Sequence, residues 1–158
     1  MLAQVIGRQL LARQWRLAVA ESATGGLLGH WITEVSGSSA YFWGGVIAYS
    51  NDVKRRLLGV REESLTQWGA VSAQVALEMA RGACQATGAE VALSITGIAG
   101  PSGATVYKPV GLYYIGVAAP GEAWCWRHHF DGTRATNNER CAAAALEHLS
   151  AYLTHRLA

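Results

Sequence analysis

Charge is scarce in this 158-residue chain: only 15% of residues carry it, and the net value is +2. So small a surplus, spread over scattered arginines with no dense basic run, excludes a general nucleic-acid binder. Cysteine and proline are equally sparse, at three each. Cys84, Cys125 and Cys141 are odd in number and have no CxxC spacing, which argues against a disulfide framework and for buried free thiols. No uncharged apolar run nears the roughly 20 residues of a membrane span. The apolar N-terminal stretch is interrupted by Arg8, Arg13 and Arg16, unlike a secretory signal. These absences predict a cytoplasmic protein with no membrane partner. GxGxxG, GxxxxGK[ST] and HExxH are also missing, so the common dinucleotide, triphosphate and zinc-protease readings lose support. His128 and His129 are adjacent on an expected strand and face opposite sides. With His30, His148 and His155 on expected helices, without HExxH spacing or a carboxylate cluster, neither a metal nor a cofactor is expected.

What the chain does have is apolar mass. At 51% hydrophobic with eighteen glycines in discrete turns, it can bury a core as one domain over 1–158 without staples. Helical periodicity covers 2–14, and Leu17–Ala20 reads as a buried strand. A helix is expected from about Thr24 to Val35, a strand over 45–49, and a short helix capped by Asn51 or Asp52 and stopped by Gly59. Ser72 is the expected cap of a helix ending at Gly88. A strand over 91–95, a hairpin around Pro120-Gly121 from 110–119 and 123–130, and a helix over 135–156 complete the series. Strands separated by helices imply crossover connections. The expected fold is α/β: a three-layer α/β/α domain with a mixed, mainly parallel sheet.

Three loops leave the carboxyl ends of the expected strands, the usual ligand edge of such sheets. In the first, Glu21-Ser-Ala-Thr-Gly-Gly26, Ser22 can serve as a nucleophile and Thr24 as a ligand donor, or both as plain helix caps. The N–H groups around Gly25 and Gly26 suit a phosphate or an oxyanion, and Glu21 either orients the site or answers the helix dipole. In the second, Tyr49 closes a strand and Lys54 follows one helical turn later. A desolvated lysine loses proton affinity and can act as a base, while a solvated Lys54 and a core Tyr49 are the plainer alternatives. The third, Thr96–Pro109, is long enough to suggest function.

Read together, Ala20-Glu-Ser-Ala-Thr-Gly-Gly26, Gly37-Ser-Ser-Ala-Tyr-Phe42, Val46-Ile-Ala-Tyr-Ser-Asn-Asp-Val-Lys54 with Leu58-Gly-Val60, and Gly69-Ala-Val-Ser72 resemble the CinA C-terminal domain family. Thr96-Gly-Ile-Ala-Gly-Pro101 and Lys108-Pro-Val-Gly111 extend the resemblance, which runs in order from about residue 5 to 155. The family also exists as stand-alone nicotinamide mononucleotide deamidases. The resemblance implies metal-independent hydrolysis of the nicotinamide carboxamide, giving nicotinate mononucleotide and ammonia. It makes Ser22 the nucleophile, with Lys54 and Tyr49 activating it and passing its proton to ammonia. Thr24, Gly25, Gly26, Thr96, Gly97 and Arg134 become the expected substrate contacts.

The chain departs from the family pattern at Ala23, Thr133, Asn137-Asn-Glu139 and Ala104-Thr-Val-Tyr107. The altered 133–139 stretch keeps a second reading open, a nucleotide-binding module without turnover. Hydrolysis of another small amide is a third. The expected partner is a small nucleotide, and an apolar, glycine-rich domain with six tryptophans suggests a homo-oligomer.

Overall fold

A computed structural model describes residues 2–155. In chain order its elements are α1 (Leu2–Arg13), β1 (Leu17–Glu21), α2 (Leu27–Thr33), a 3-10 turn (Ser38–Ala40), β2 (Phe42–Ile47), α3 (Asn51–Leu58), α4 (Glu62–Trp68), α5 (Ala73–Thr87), β3 (Val91–Gly97), β4 (Leu112–Ala119), β5 (Glu122–His129) and α6 (Arg134–His155). The five strands form one sheet in the order β2-β1-β3-β4-β5. β1 pairs in parallel with β2 and β3, while β3–β4 and β4–β5 pair antiparallel. This is the expected three-layer α/β/α arrangement with a mixed sheet.

Side-chain parity along the strands divides the interior in two. Leu17 and Val19 of β1, Val91, Leu93 and Ile95 of β3, and Tyr113, Ile115 and Val117 of β4 meet α1, α2 and α6 in one core. Ala18, Ala20 and Ala92 point the other way, into a smaller core with Leu58, Val75, Met79 and Ala83. The first face is built from bulky residues and the second largely from alanine, so α5 lies close against the sheet. The same parity fixes the chemistry at the end of β1. Glu21 belongs to the α2 face, and Ser22, one residue on, belongs to the α3 face.

Ser72 and Gly88 bound α5 as expected: the Ser72 hydroxyl accepts from the Val75 N–H, and Gly88 takes the left-handed conformation. Gly59 ends α3 in the same conformation. Several boundaries differ from expectation. α2 starts at Leu27, not Thr24, because Gly25 and Gly26 have φ of 60° and 108° and cannot join a right-handed helix. β2 runs Phe42–Ile47, so Tyr49 lies beyond the strand, and Ser50 caps α3 through the Val53 N–H in place of Asn51 or Asp52. β3 continues through Thr96 and Gly97. Helix α4, absent from the expectation, begins without a side-chain cap at Arg61, which removes the usual start signal. Arg156, the expected last residue of the closing helix, lies outside the described residues.

Candidate active site

Ser22 leaves β1 with its backbone N–H bonded to the Ile95 carbonyl at 3.0 Å, which fixes the residue against β3. Behind it, Glu21 is buried and organises the turn. Its Oε1 accepts from the Thr24 hydroxyl at 2.7 Å and the Leu28 N–H at 2.9 Å, and its Oε2 accepts from the Gly29 N–H at 2.9 Å. A carboxylate thus satisfies the first free N–H groups of α2, where negative charge is favoured. Glu21 holds the turn that carries Ser22, and Thr24 serves Glu21.

Lys54 arrives from α3, whose N-terminal cap sets the helix so that this side chain turns inward. It is only 2% exposed. Its Nζ lies 3.1 Å from Ser22 Oγ and 3.5 Å from the Tyr49 carbonyl oxygen. None of the ion pairs among the described residues includes it. Burial without a counter-ion pushes its proton affinity below the ordinary lysine value. A serine hydroxyl in contact with such an amine has the geometry of an activated nucleophile.

Ser22, Tyr49, Lys54, Thr96, Gly97 and Arg134 line one open cavity of about 300 Å³, which Asn51, Ser102 and Gly103 also line. Three strand-end loops and the first turn of α6 therefore converge, as the carboxyl-edge argument anticipates. Tyr49 is 62% exposed, so its ring stands at the mouth. Its hydroxyl accepts from Arg134 Nη2 at 2.8 Å, while Arg134 Nη1 donates to the Gly100 carbonyl at 2.9 Å. The Thr96 hydroxyl donates to the Ala70 carbonyl at 2.8 Å, tying the end of β3 to the turn before α5.

Three expected contacts fall elsewhere. Thr24, Gly25 and Gly26 are not among the cavity-lining residues. The Thr24 hydroxyl is spent on Glu21, and the Gly25 N–H is spent on the Ser22 carbonyl at 3.1 Å. Parity explains this, since the turn folds back beneath α2 while Ser22 faces α3. Asn51, Ala70 and Val71 also line the cavity, although the sequence marks none of them as a substrate contact. Asn51 was legible only as a helix cap, and the Gly69-Ala-Val-Ser72 segment only as a family motif.

A thiol nucleophile has no support. Burial raises Cys84 and Cys125 to about 11 and pushes Cys141 higher still, so all three stay protonated at neutral pH. Among the described residues no group of three or more His, Cys, Asp or Glu could hold a metal ion, and no helix is long and apolar enough to cross a membrane.

The family model for the CinA C-terminal domain matches residues 1–153. The chain is 50% identical over 143 residues to a CinA-like protein of Salinibacter ruber, an overlap covering 90% of this chain and 35% of that protein. A CinA-like protein of Nostoc sp. is 52% identical over 155 residues, covering 95% and 36%. The chain thus spans about a third of the length of these curated relatives. Among solved structures, a competence-damaged protein (CinA) superfamily member from Klebsiella pneumoniae superposes with a TM-score of 0.94 at 33% identity, covering 98% of this chain and 96% of that one. The competence/damage inducible protein CihA from Agrobacterium tumefaciens gives 0.91 at 41% identity, covering 97% and 93%.

Proposed function

Because the chain belongs to the CinA C-terminal domain family, we propose that it hydrolyses the carboxamide of nicotinamide mononucleotide to nicotinate mononucleotide and ammonia. The observation that carries this reading is the buried Ser22–Lys54 contact of 3.1 Å, opening onto a cavity large enough for a small molecule.

The chemistry follows from the two groups. Neutral Lys54 accepts the Ser22 hydroxyl proton as Oγ bonds to the carboxamide carbon. The developing oxyanion needs a donor. The N–H groups of Ser22 and Gly25 are already committed. Ala23 lines the cavity, and its N–H has no protein partner among the described residues, so it is the donor assigned here. Collapse breaks the C–N bond, and the nitrogen leaves as ammonia with the proton returned by Lys54. Water then attacks the serine ester, releasing the carboxylate and restoring Ser22.

Tyr49 acts differently from the expected relay. Lys54 touches its backbone carbonyl, whereas its hydroxyl is engaged by Arg134. In this geometry the Tyr49–Arg134 pair forms a polar rim that holds the substrate, and the Tyr49 O–H stays free to donate into the cavity.

Ammonia release from nicotinamide mononucleotide by purified protein tests the proposal. Wild type should turn over, and Ser22→Ala should lose at least about 10³-fold of that rate. Nucleotide binding without turnover would instead establish the non-catalytic module, and full activity in Ser22→Ala would show that Ser22 is not the nucleophile.

A further inference from the structure

Asn137 is completely buried, polar and absent from the cavity wall. It lies three residues after Arg134 in α6 and therefore on a neighbouring part of the same helical face. Its Nδ2 donates to the Ala99 carbonyl and to the Gly132 carbonyl, both at 3.1 Å. Its Oδ1 accepts from the Gly132 N–H at 2.9 Å. The side chain thus satisfies both polar groups of one peptide residue before Arg134 and one carbonyl of the facing loop. Arg134 grips that same loop at the next residue, through the Gly100 carbonyl.

We propose that Asn137 is the positioning residue for Arg134, locking the 99–100 loop to the start of α6 so that the guanidinium is held across the cavity mouth toward Tyr49. This rests on the reading of the site as a nucleotide amidase. The frame has three members: the Gly132 peptide, the Ala99–Gly100 segment and the first turn of α6. Asn137 bonds to the first two and belongs to the third. Removing its amide strips a partner from the buried Ala99 carbonyl and from the part-buried Gly132 N–H and carbonyl, a loss that proteins answer by shifting the backbone toward water. Any such shift moves the Gly100 carbonyl and frees Arg134 to swing, while Ser22 and Lys54, held by β1 and α3, stay where they are.

The consequence is a split in kinetic effect. A residue that acts through a substrate-holding arginine changes KM, whereas one that supports the whole fold changes kcat and stability together. Steady-state kinetics of wild type, Asn137→Ala, Arg134→Ala and the double variant on nicotinamide mononucleotide read this directly. Asn137→Ala should raise KM by about tenfold with kcat within roughly threefold of wild type. In the Arg134→Ala background the same change should move KM by less than about twofold, because the partner it acts through is gone. Asn137→Asp keeps the shape but turns both donated bonds into oxygen–oxygen contacts, so it should behave no better than Ala. Equal multiplicative effects in both backgrounds, or a normal KM in Asn137→Asp, overturn the proposal. If Asn137→Ala folds poorly, Asn137→Ser, which keeps one donor, enters the same cycle and should give an intermediate KM. If wild type hydrolyses no amide, the amidase reading fails on its own, and amide hydrogen exchange decides the positioning. Faster exchange at 98–103 in the Asn137 variant, with α5 unchanged, supports it, and unchanged exchange at 98–103 removes it.

Discussion

A single buried amine without a counter-ion dominates the residue scale. Desolvation disfavours the charged form of Lys54, so its folded proton affinity lies below the unfolded 10.5. Between those two values the unfolded chain binds more protons than the folded one, and stability therefore rises with pH across that window. Lys54→Met should eliminate activity yet melt higher than wild type at neutral pH, by about 1–2 kcal/mol of stability. That advantage should shrink as pH approaches the ordinary lysine value, and calorimetry over pH reads it. The rate has the same sign: kcat/KM should climb with pH as the amine loses its proton and then level off. A Lys54→Met protein no more stable than wild type at pH 7 would mean that burial does not penalise the charged lysine. Ser22 and Lys54 were legible in the sequence because loops at strand ends and a chain-long family pattern both select them. The role of Thr24 was not, because a capping hydroxyl and one that serves a buried carboxylate look identical until the parity of Glu21 is known.

At the scale of elements, the base depends on how closely two helices approach. Gly82 lies inside α5, where glycine costs about 1 kcal/mol relative to alanine on backbone grounds alone. A Cβ there would sit 1.9 Å from the Leu58 carbonyl oxygen at the end of α3. Since α3 carries Lys54, Gly82→Ala should destabilise the protein by about 1–3 kcal/mol despite the better helix former. It should also lower kcat more than it changes KM. Urea melts paired with kinetics check both halves, and a stabilised, fully active variant would show that α3 and α5 have slack between them. Elements with conventional signals were readable: α5 has a hydroxyl cap and a terminal glycine, and the β4–β5 hairpin has Pro120-Gly121. The start of α2 was not, because its cap reaches in from Glu21, seven and eight residues ahead of the N–H groups it satisfies. Helix α4 gave no hydroxyl cap to find.

Across the whole molecule, the site joins distant parts of the chain. The Ser22–Lys54 contact spans 32 residues and the Tyr49–Arg134 contact 85. Strand order decides whether such loops meet, and no local pattern encodes it, so their convergence is legible only in the assembled sheet. That order places β1 between β2 and β3, bonded along both edges, with all five of its residues buried. Helix α3, by contrast, buries only Lys54 and Leu58. Backbone amides of β1 should therefore exchange at the global unfolding limit and those of α3 well before it. Comparable protection in the two would contradict the contrast in burial. The nucleophile directly follows a strand bonded along both edges and its base sits on a looser helix, so heat separates them before it unfolds the sheet. Thermal inactivation should begin as loss of the base, reversible on cooling, with Ser22 still seated, and the route to a heat-resistant form of this protein is to fasten α3 rather than to reinforce the core.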